Sequence, residues 1–393
     1  ATPTTYGPQT IAIVDAGGYG AGGTLESALE TYNSYYGLPS CTQANGCLTI
    51  VNQYGATSPL PPEVSSGWST EIALDVQVAH AICQTCKIVL VEAEDDFISS
   101  LAMAELTAAS FNPVAISNSW GATVDISAFD GYFSFDGTAV LAATGDSGND
   151  GSGKSWPADI PDVVAVAGTR LQLNTDNTRA TETLWSGSGG GCSTHYTAPI
   201  WQSALEEWPT NGCINGGRAF GDVAADADPN TGAAIYVGGS WYIVGGTSLA
   251  TPIIAAMYAL ADSLPSGANP VELLYQHRGA DSFYDVTSGN DCTLAAQPYC
   301  TAKAGFDVPS GLGVPHGLSA FQGDPGAPLN PTLSYVSQSQ LSLSWGAATA
   351  SHGVQSYRLY RNGSQIATTS ATSYTDTGLT PNTSYRYYVT TTD

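Results

Sequence analysis

Five short apolar runs alternate with helix-like segments between residues 10 and 143, and this alternation limits the possible folds more than any other feature. The runs are TIAIV (10–14), LTIV (48–51), KIVLVEA (87–93), VAIS (114–117) and AVLAA (139–143). TLESALETYNSYY, STEIALDVQVAHAI and ISSLAMAELTAAS lie between them and have helical composition. A strand that is apolar at successive positions is buried on both faces, and parallel strands need long crossovers. The pattern predicts an α/β unit, a doubly wound parallel sheet with helices on both faces. Residues 144–245 are rich in Gly, Ser, Thr and Asp and read as long loops with short strands. Loops of this kind on a rigid core often carry the site.

The texture changes after QGDPGAPLNP (322–331). SLSW, YRLYR, QIATT and YRYYVT alternate polar with apolar or aromatic residues, and Asn362-Gly363 is a hairpin signal. This stretch resembles a fibronectin type III module. Trp345 matches its core tryptophan, and Leu379 to Tyr385 match its tyrosine corner. The predicted boundaries are 1–323 for the α/β unit, 324–331 for a linker and 332–393 for the module. The chain stops where the last strand of such a module is expected, so the sandwich is expected to lack it.

Charge narrows the partners. Ten Lys and Arg stand against 34 Asp and Glu, a formal net charge of −24. Nucleic acid and anionic membranes are excluded as partners on that balance. Only 11% of residues are charged, so the surface is largely uncharged polar. Such a chain loses charge in acid without exposing many bases, and it reads as acid-adapted. No run of about 20 apolar residues is present to span a membrane. The start, ATPTTYGPQT, reads as a mature, processed end.

Eight cysteines fall in neighbouring pairs: Cys41 and Cys47, Cys83 and Cys86, Cys192 and Cys213, Cys292 and Cys300. Four local disulfides in an oxidising, extracellular compartment are expected. Zinc is disfavoured, because only Cys83 and Cys86 have tight ligand spacing.

Three motifs could carry chemistry. In GGTSLATP (245–252), Ser248 sits where a loop enters an apolar helix, as either an N-cap or a nucleophile. In SGWSTEIALDVQ, Glu71 and Asp75 are four apart and share a helix face. Solvated helices often carry such pairs, but the neighbours here are apolar, and two close buried carboxyls tend to share a proton. In LAATGDSGND (141–150), Asp146 follows a buried strand, where α/β sheets place ligands. A chymotrypsin-like reading of GDSG lacks its T-A-A-H-C partner. An aspartic-protease reading would place its second triplet, Asp376-Thr377-Gly378, in a turn of the module.

Together these stretches resemble the sedolisin family, serine-carboxyl peptidases with a subtilisin-like fold. The likeness runs from about residue 6 to 322 and includes ISNSWG (116–121), SGGG (188–191) and DVAADADPNTG (222–232). It implies Ser248 as nucleophile, Glu71 as its base, Asp75 as partner carboxyl and protonated Asp146 as oxyanion donor. It places Asp15 and Trp120 behind these residues, and Ser119, Trp120 and Gly121 along the substrate cleft. It also implies one structural calcium ion held by Asp285 and Asp307 side chains and the carbonyls of Val286, Lys303 and Gly305. The family usually has glycine where Lys303 stands, and a lysine there must turn away from the cation. A prodomain removed in acid, peptide substrates, a secreted location and a monomeric state complete the expectation.

The acid chemistry is self-consistent. An ordinary imidazole is protonated near pH 4 and cannot accept a proton, whereas a glutamate titrates close by. Two rivals remain at this point. One is a neutral or alkaline subtilisin-like protease using Asp15, His80 and Ser248. The other is an inactive surface-binding protein on a peptidase scaffold.

Overall fold

The computed structural model describes residues 9–392, apart from 125, 262–263, 265–266, 294–298, 323–327 and 349–353. Residues 1–8, at the chain start, and the first part of the expected linker lie outside the described residues. The chain divides into two compact units, Ala1–Phe321 and Gln322–Asp393.

The first unit opens with β1 (Thr10–Ala16), α1 (Leu25–Tyr36), β2 (Leu48–Asn52), α2 (Ser66–Ile82), β3 (Lys87–Ala93), α3 (Ile98–Ala109), β4 (Ala115–Asn118) and β5 (Ala139–Ala143). Next come β6 (Val163–Leu173), β7 (Arg179–Leu184), β8 (Gly191–Thr197), two single-turn helices α4 (Ile200–Ser203) and α5 (Trp208–Asn211), β9 (Gly217–Phe220), β10 (Val223–Asp226) and the hairpin β11 (Ala233–Val237) and β12 (Ser240–Val244). Helices α6 (Thr247–Leu260) and α7 (Pro270–Gln276) follow, then the short pair β13 (Phe283–Tyr284) and β14 (Val314–Pro315).

Seven strands form a parallel sheet in the order β10-β6-β5-β4-β1-β3-β2, and β7 adds antiparallel to β6. The expected parallel core is present. It extends further than the five apolar runs suggest, because β6 and β10 are strands of the core sheet that come from the stretch read as long loops with short strands.

Strand β1 shows why both faces are apolar. Ile11 and Ile13 pack with Ile72 and Val76 of α2 and Ala250 and Ile254 of α6. Ala12 and Val14 pack on the other face with Leu101 and Ala102 of α3. Strand parity thus sends Asp15 to the α2/α6 side, and its register neighbour on β3 is Glu92.

All four expected disulfides are formed: Cys41–Cys47, Cys83–Cys86, Cys192–Cys213 and Cys292–Cys300. The widest closes a separation of 21 residues. Among the described residues, no helix is long and apolar enough to cross a membrane.

Among its described residues, the second unit has six strands in two antiparallel sheets. One is β15 (Leu329–Ser337), β16 (Gln340–Gly346) and β19 (Ser373–Thr377), and the other is β18 (Ser364–Thr369), β17 (Ser356–Arg361) and β20 (Tyr387–Thr392). Strand β15 begins at Leu329, within the stretch that reads as linker. Trp345 is buried against Tyr357 and Leu359. The Thr380 N–H donates to the Tyr385 hydroxyl at 2.9 Å, which closes the tyrosine corner. Asp376 lies within β19 rather than in a turn, and it is paired with Arg361 and accepts a bond from the Tyr387 hydroxyl. An aspartic-protease role for that triplet has no support.

Candidate active site

The site lies beyond the carboxyl ends of β1, β4 and β5, where open α/β sheets place ligands. Ser248 is the second residue of α6, whose N-cap is Gly246 without a side-chain cap bond. The N-cap reading of Ser248 is therefore incorrect. Pro252 is the sixth residue of that helix and cannot donate to the Ser248 carbonyl four residues back. That carbonyl accepts instead from the Ser119 hydroxyl at 3.3 Å. The proline thus frees the carbonyl through which β4 and α6 are tied together.

Glu71 and Asp75 lie one turn apart on α2, which starts at an N-cap made by Ser65. Burial raises the Glu71 pKa to about 7, and its interaction with the neighbouring Ser248 hydroxyl opposes the rise. The Ser248 hydroxyl donates to the Ser119 carbonyl at 3.5 Å. The Ser119 hydroxyl lies 3.0 Å from Asp75 Oδ1. Burial pushes Asp75 well above the usual carboxylate range, and the charges of Asp15 and Glu71 push it further. A single hydroxyl proton cannot serve both Asp75 and the Ser248 carbonyl. With Asp75 protonated, Asp75 donates to Ser119, and Ser119 donates to the carbonyl.

Asp15 is fully buried, and burial also raises its pKa, followed by the charges of Glu71 and Glu92. Both Asp15 oxygens, Asp75 Oδ2 and Glu71 Oε1 are buried without a hydrogen-bond partner among the described residues. Carboxylates this dry cannot all be ionised, so the row holds shared protons. Trp120 donates from Nε1 to the Val14 carbonyl at 2.9 Å, which fixes the strand end that carries Asp15.

Asp146 meets the start of α6 from the other side. Its Oδ1 accepts from the Thr247 N–H at 2.7 Å and from the Thr247 hydroxyl at 2.8 Å. The Gly145 N–H donates in turn to that hydroxyl at 3.0 Å. Thr247 had no assigned role in the sequence, although it stands inside the GTS motif. Gly246 has φ +96°, and a Cβ there would lie 2.5 Å from Asp146 Oδ2. We expect Gly246→Ala to cost about 1–3 kcal/mol of stability through backbone strain. By moving Asp146 it should also lower kcat about tenfold or more. Thermal melts and steady-state rates check both, and an unchanged rate would separate Asp146 from turnover.

A cleft of about 310 Å³ joins these parts, and Ser119, Trp120, Gly121, Asp146 and Ser248 all line it. Gly189 of SGGG packs against the loop that carries Asp146, since a Cβ there would lie 2.3 Å from the Thr144 carbonyl.

Among the described residues, no imidazole shares this site. His80 lies nine residues beyond Glu71 on α2, about 13 Å along the helix. Its Nε2 is 2.9 Å from the Pro39 carbonyl. His277 Nδ1 meets the Leu273 carbonyl, and the His195 and His316 rings pack on Tyr196 and Tyr284. The arrangement of Asp15, His80 and Ser248 expected of a subtilisin-like rival is not assembled.

The residues expected at the metal site do gather. Asp285 Oδ2 accepts from the Gly305 N–H at 2.9 Å, and Asp307 Oδ2 accepts from the Lys303 N–H at 2.6 Å. Asp307 and Val286 are buried. Lys303 Nζ reaches the Thr210 carbonyl at 3.4 Å, so the one side chain that would repel a cation points elsewhere. Two carboxylates on a folded-back loop with no base between them fit a hard cation.

The α/β unit sets Ser248 beside buried carboxyls, an arrangement that resembles the serine-carboxyl peptidases. Comparison with known proteins agrees. The chain is 32% identical to kumamolisin of Bacillus sp. (strain MN-32) over 80% of this chain and 59% of that protein. It is 34% identical to sedolisin of Pseudomonas sp. (strain 101) over 40% of this chain and 28% of that protein. It therefore spans well under two thirds of each of these relatives. The solved structure of Pseudomonas sedolisin, a serine-carboxyl proteinase complexed with two molecules of pseudo-iodotyrostatin, superposes with a TM-score of 0.65 at 25% identity. That match covers 79% of this chain and 92% of the sedolisin chain. The fibronectin type III domain family matches residues 326–393. The first unit is thus homologous to the sedolisins and shares their fold, and the second is a fibronectin type III domain.

Proposed function

We propose that this chain is a secreted endopeptidase that hydrolyses peptide bonds in acid through an acyl-enzyme on Ser248. The observation that carries the reading is Ser248 beside the buried carboxyls of Glu71 and Asp75, with no histidine at the site among the described residues. Glu71 takes the Ser248 proton as Oγ bonds to the substrate carbonyl carbon. The protonated form of Asp146 donates to the resulting oxyanion. Glu71 then gives the proton to the leaving nitrogen as the C–N bond breaks. Water repeats the sequence to release the acyl group. Asp75, steadied by Ser119, and Asp15 beyond it hold the remaining protons of the row. The backbone of Ser119, Trp120 and Gly121 pairs with an extended substrate.

Calcium fits the loop 303–307 and Asp285. It would be held by the Asp285 and Asp307 side chains and the carbonyls of Val286, Lys303 and Gly305, and it would brace the fold rather than enter the reaction. The four disulfides support a secreted location. By analogy with its relatives, the protein would be made with an acid-removed prodomain, and we take it to act as a monomer.

Digestion of a peptide library from about pH 2 to pH 8, with and without a calcium chelator, tests the reading. Cleavage should peak in acid and vanish in Ser248→Ala. Because burial raises Glu71, the acid limb should lie above that of an exposed carboxylate. The chelator should lower Tm by about 5 °C or more. A rate maximum above pH 7 would contradict protonated Asp146 as the oxyanion donor, and a Tm indifferent to chelation would remove the metal.

A further inference from the structure

Glu105 is a buried acid that the proposed chemistry does not use. It belongs to α3, among the apolar side chains that cover the face of the sheet opposite Asp15. Its hydrogen-bond partner is Asn118, the last residue of β4. Asn118 Nδ2 donates to Glu105 Oε1 at 3.4 Å and to the Leu141 carbonyl of β5 at 3.1 Å. Both side chains are fully buried.

Two oxygens of this pair are left over. Glu105 Oε2 and Asn118 Oδ1 are buried without a hydrogen-bond partner among the described residues. An ionised carboxylate cannot satisfy the amide oxygen, because both are then acceptors. A proton on Glu105 supplies the missing donor, so that acid and amide can exchange two bonds. Burial pushes Glu105 up to about 8, which keeps that proton in place in acid. The charged groups of the elements packed on α3 are turned elsewhere. Asp15 of β1 and Glu92 of β3 lie on the other face of the sheet, and Lys87 is exposed at the amino end of β3. On the 3-10 turn Ser127–Tyr132, Asp130 accepts from Trp156 and Tyr196, and Tyr132 packs on Phe129. Neither β4 nor β5 carries a charged residue.

The pair ends one residue from the site. Ser119 follows Asn118, and its hydroxyl meets Asp75 and the Ser248 carbonyl. A side chain held between α3 and β5 thus steadies the strand end that ties β4 to α6.

We propose that Glu105 is a positioning residue: as a neutral acid it clamps the Asn118 amide and so fixes the Ser119–Gly121 edge of the cleft for substrate. The effect on turnover rests on the peptidase reading, whereas the clamp itself does not. The first test is infrared difference spectroscopy on Ser248→Ala at about pH 6, where exposed carboxyls are ionised. Adding Glu105→Gln should remove one carboxylic-acid C=O band, and adding Asn118→Leu should shift that band. The second test is steady-state kinetics in acid, alongside melting curves. Glutamine keeps one donor and one acceptor for the amide, so Glu105→Gln should hold kcat/KM within about twofold of wild type. Glu105→Leu fills the space with neither and should lose about tenfold, mostly through KM, at temperatures well below its Tm. Asn118→Leu, which lacks the same clamp, should show the same rise in KM and stands in if Glu105→Leu does not fold. An infrared difference without an acid band, or leucine variants as active as wild type, would overturn the inference and leave the peptidase reading intact. A wild type that cleaves no peptide would end the peptidase reading and the positioning role with it, even with the band present.

Discussion

Glu71→Gln is expected to lower kcat by about 10³-fold or more while leaving a folded enzyme. The expectation follows from what glutamine keeps and what it loses. It fills the same volume and can still accept the Ser248 hydroxyl, but it cannot hold the transferred proton. In hydrolases built on a nucleophile and a base, removing the base alone costs about as much as removing the nucleophile. Asp146→Ala should lose less, about 10²–10³-fold, comparable to the loss of one oxyanion donor. Stability should move the other way. Burial makes an ionised Glu71 unfavourable in the folded state, so Glu71→Gln should melt no lower than wild type at neutral pH. Rates and melting curves on the same preparations separate the two effects. A variant that kept a tenth of wild-type turnover would eliminate Glu71 as the base.

The second large effect is on folding itself. Burial raises Glu105 to about 8 and Glu71 and Glu92 to about 7, and it holds Asp15 and Asp75 well above their ordinary values. An acid with a raised folded pKa binds its proton more tightly in the native state. Its contribution is complete below the unfolded pKa, near 4, and is lost as pH rises through the folded pKa. His80, whose pKa burial lowers, acts in the opposite sense, as do Glu30 and Asp176, whose hydrogen bonds lower theirs, but Glu30 and Asp176 are largely exposed and weigh little against the five buried acids. At about 1.4 kcal/mol per pKa unit, Glu105 alone amounts to a few kcal/mol, against a usual net stability of about 5–15. Tm should therefore be highest near pH 4 and fall steeply between about pH 5 and pH 8. Calorimetry on Ser248→Ala, which cannot digest itself, measures this directly. Glu105→Gln should flatten the fall. A Tm that is level or rising across that range would refute the account.

Sequence alone revealed much of this architecture, and the gaps have physical causes. The five apolar runs and three helices between them were readable because strands buried on both faces carry uninterrupted apolar residues. Strand β6 reads as no more than a short strand among long loops, because from Arg170 on it leaves the core and becomes exposed. Glu71 and Asp75 stood out because two acids on an apolar helix contradict their neighbours. Ser248 was ambiguous because a cap and a second helical residue share the same local sequence. Only the fold shows that Gly246 takes the cap position and that Pro252 releases the Ser248 carbonyl to Ser119. The place of Thr247 beside Asp146 depends on contacts with a residue distant in sequence, which no local pattern encodes.

The four disulfides are short-range, with separations of 6, 3, 21 and 8 residues. None of them pins distant parts of the chain together, so their contribution lies in the loops they close. A protease cuts a stretch of backbone only after that stretch has peeled away and straightened. On the proposed peptidase reading, cinched loops would resist this peeling and so shield each copy from its neighbours.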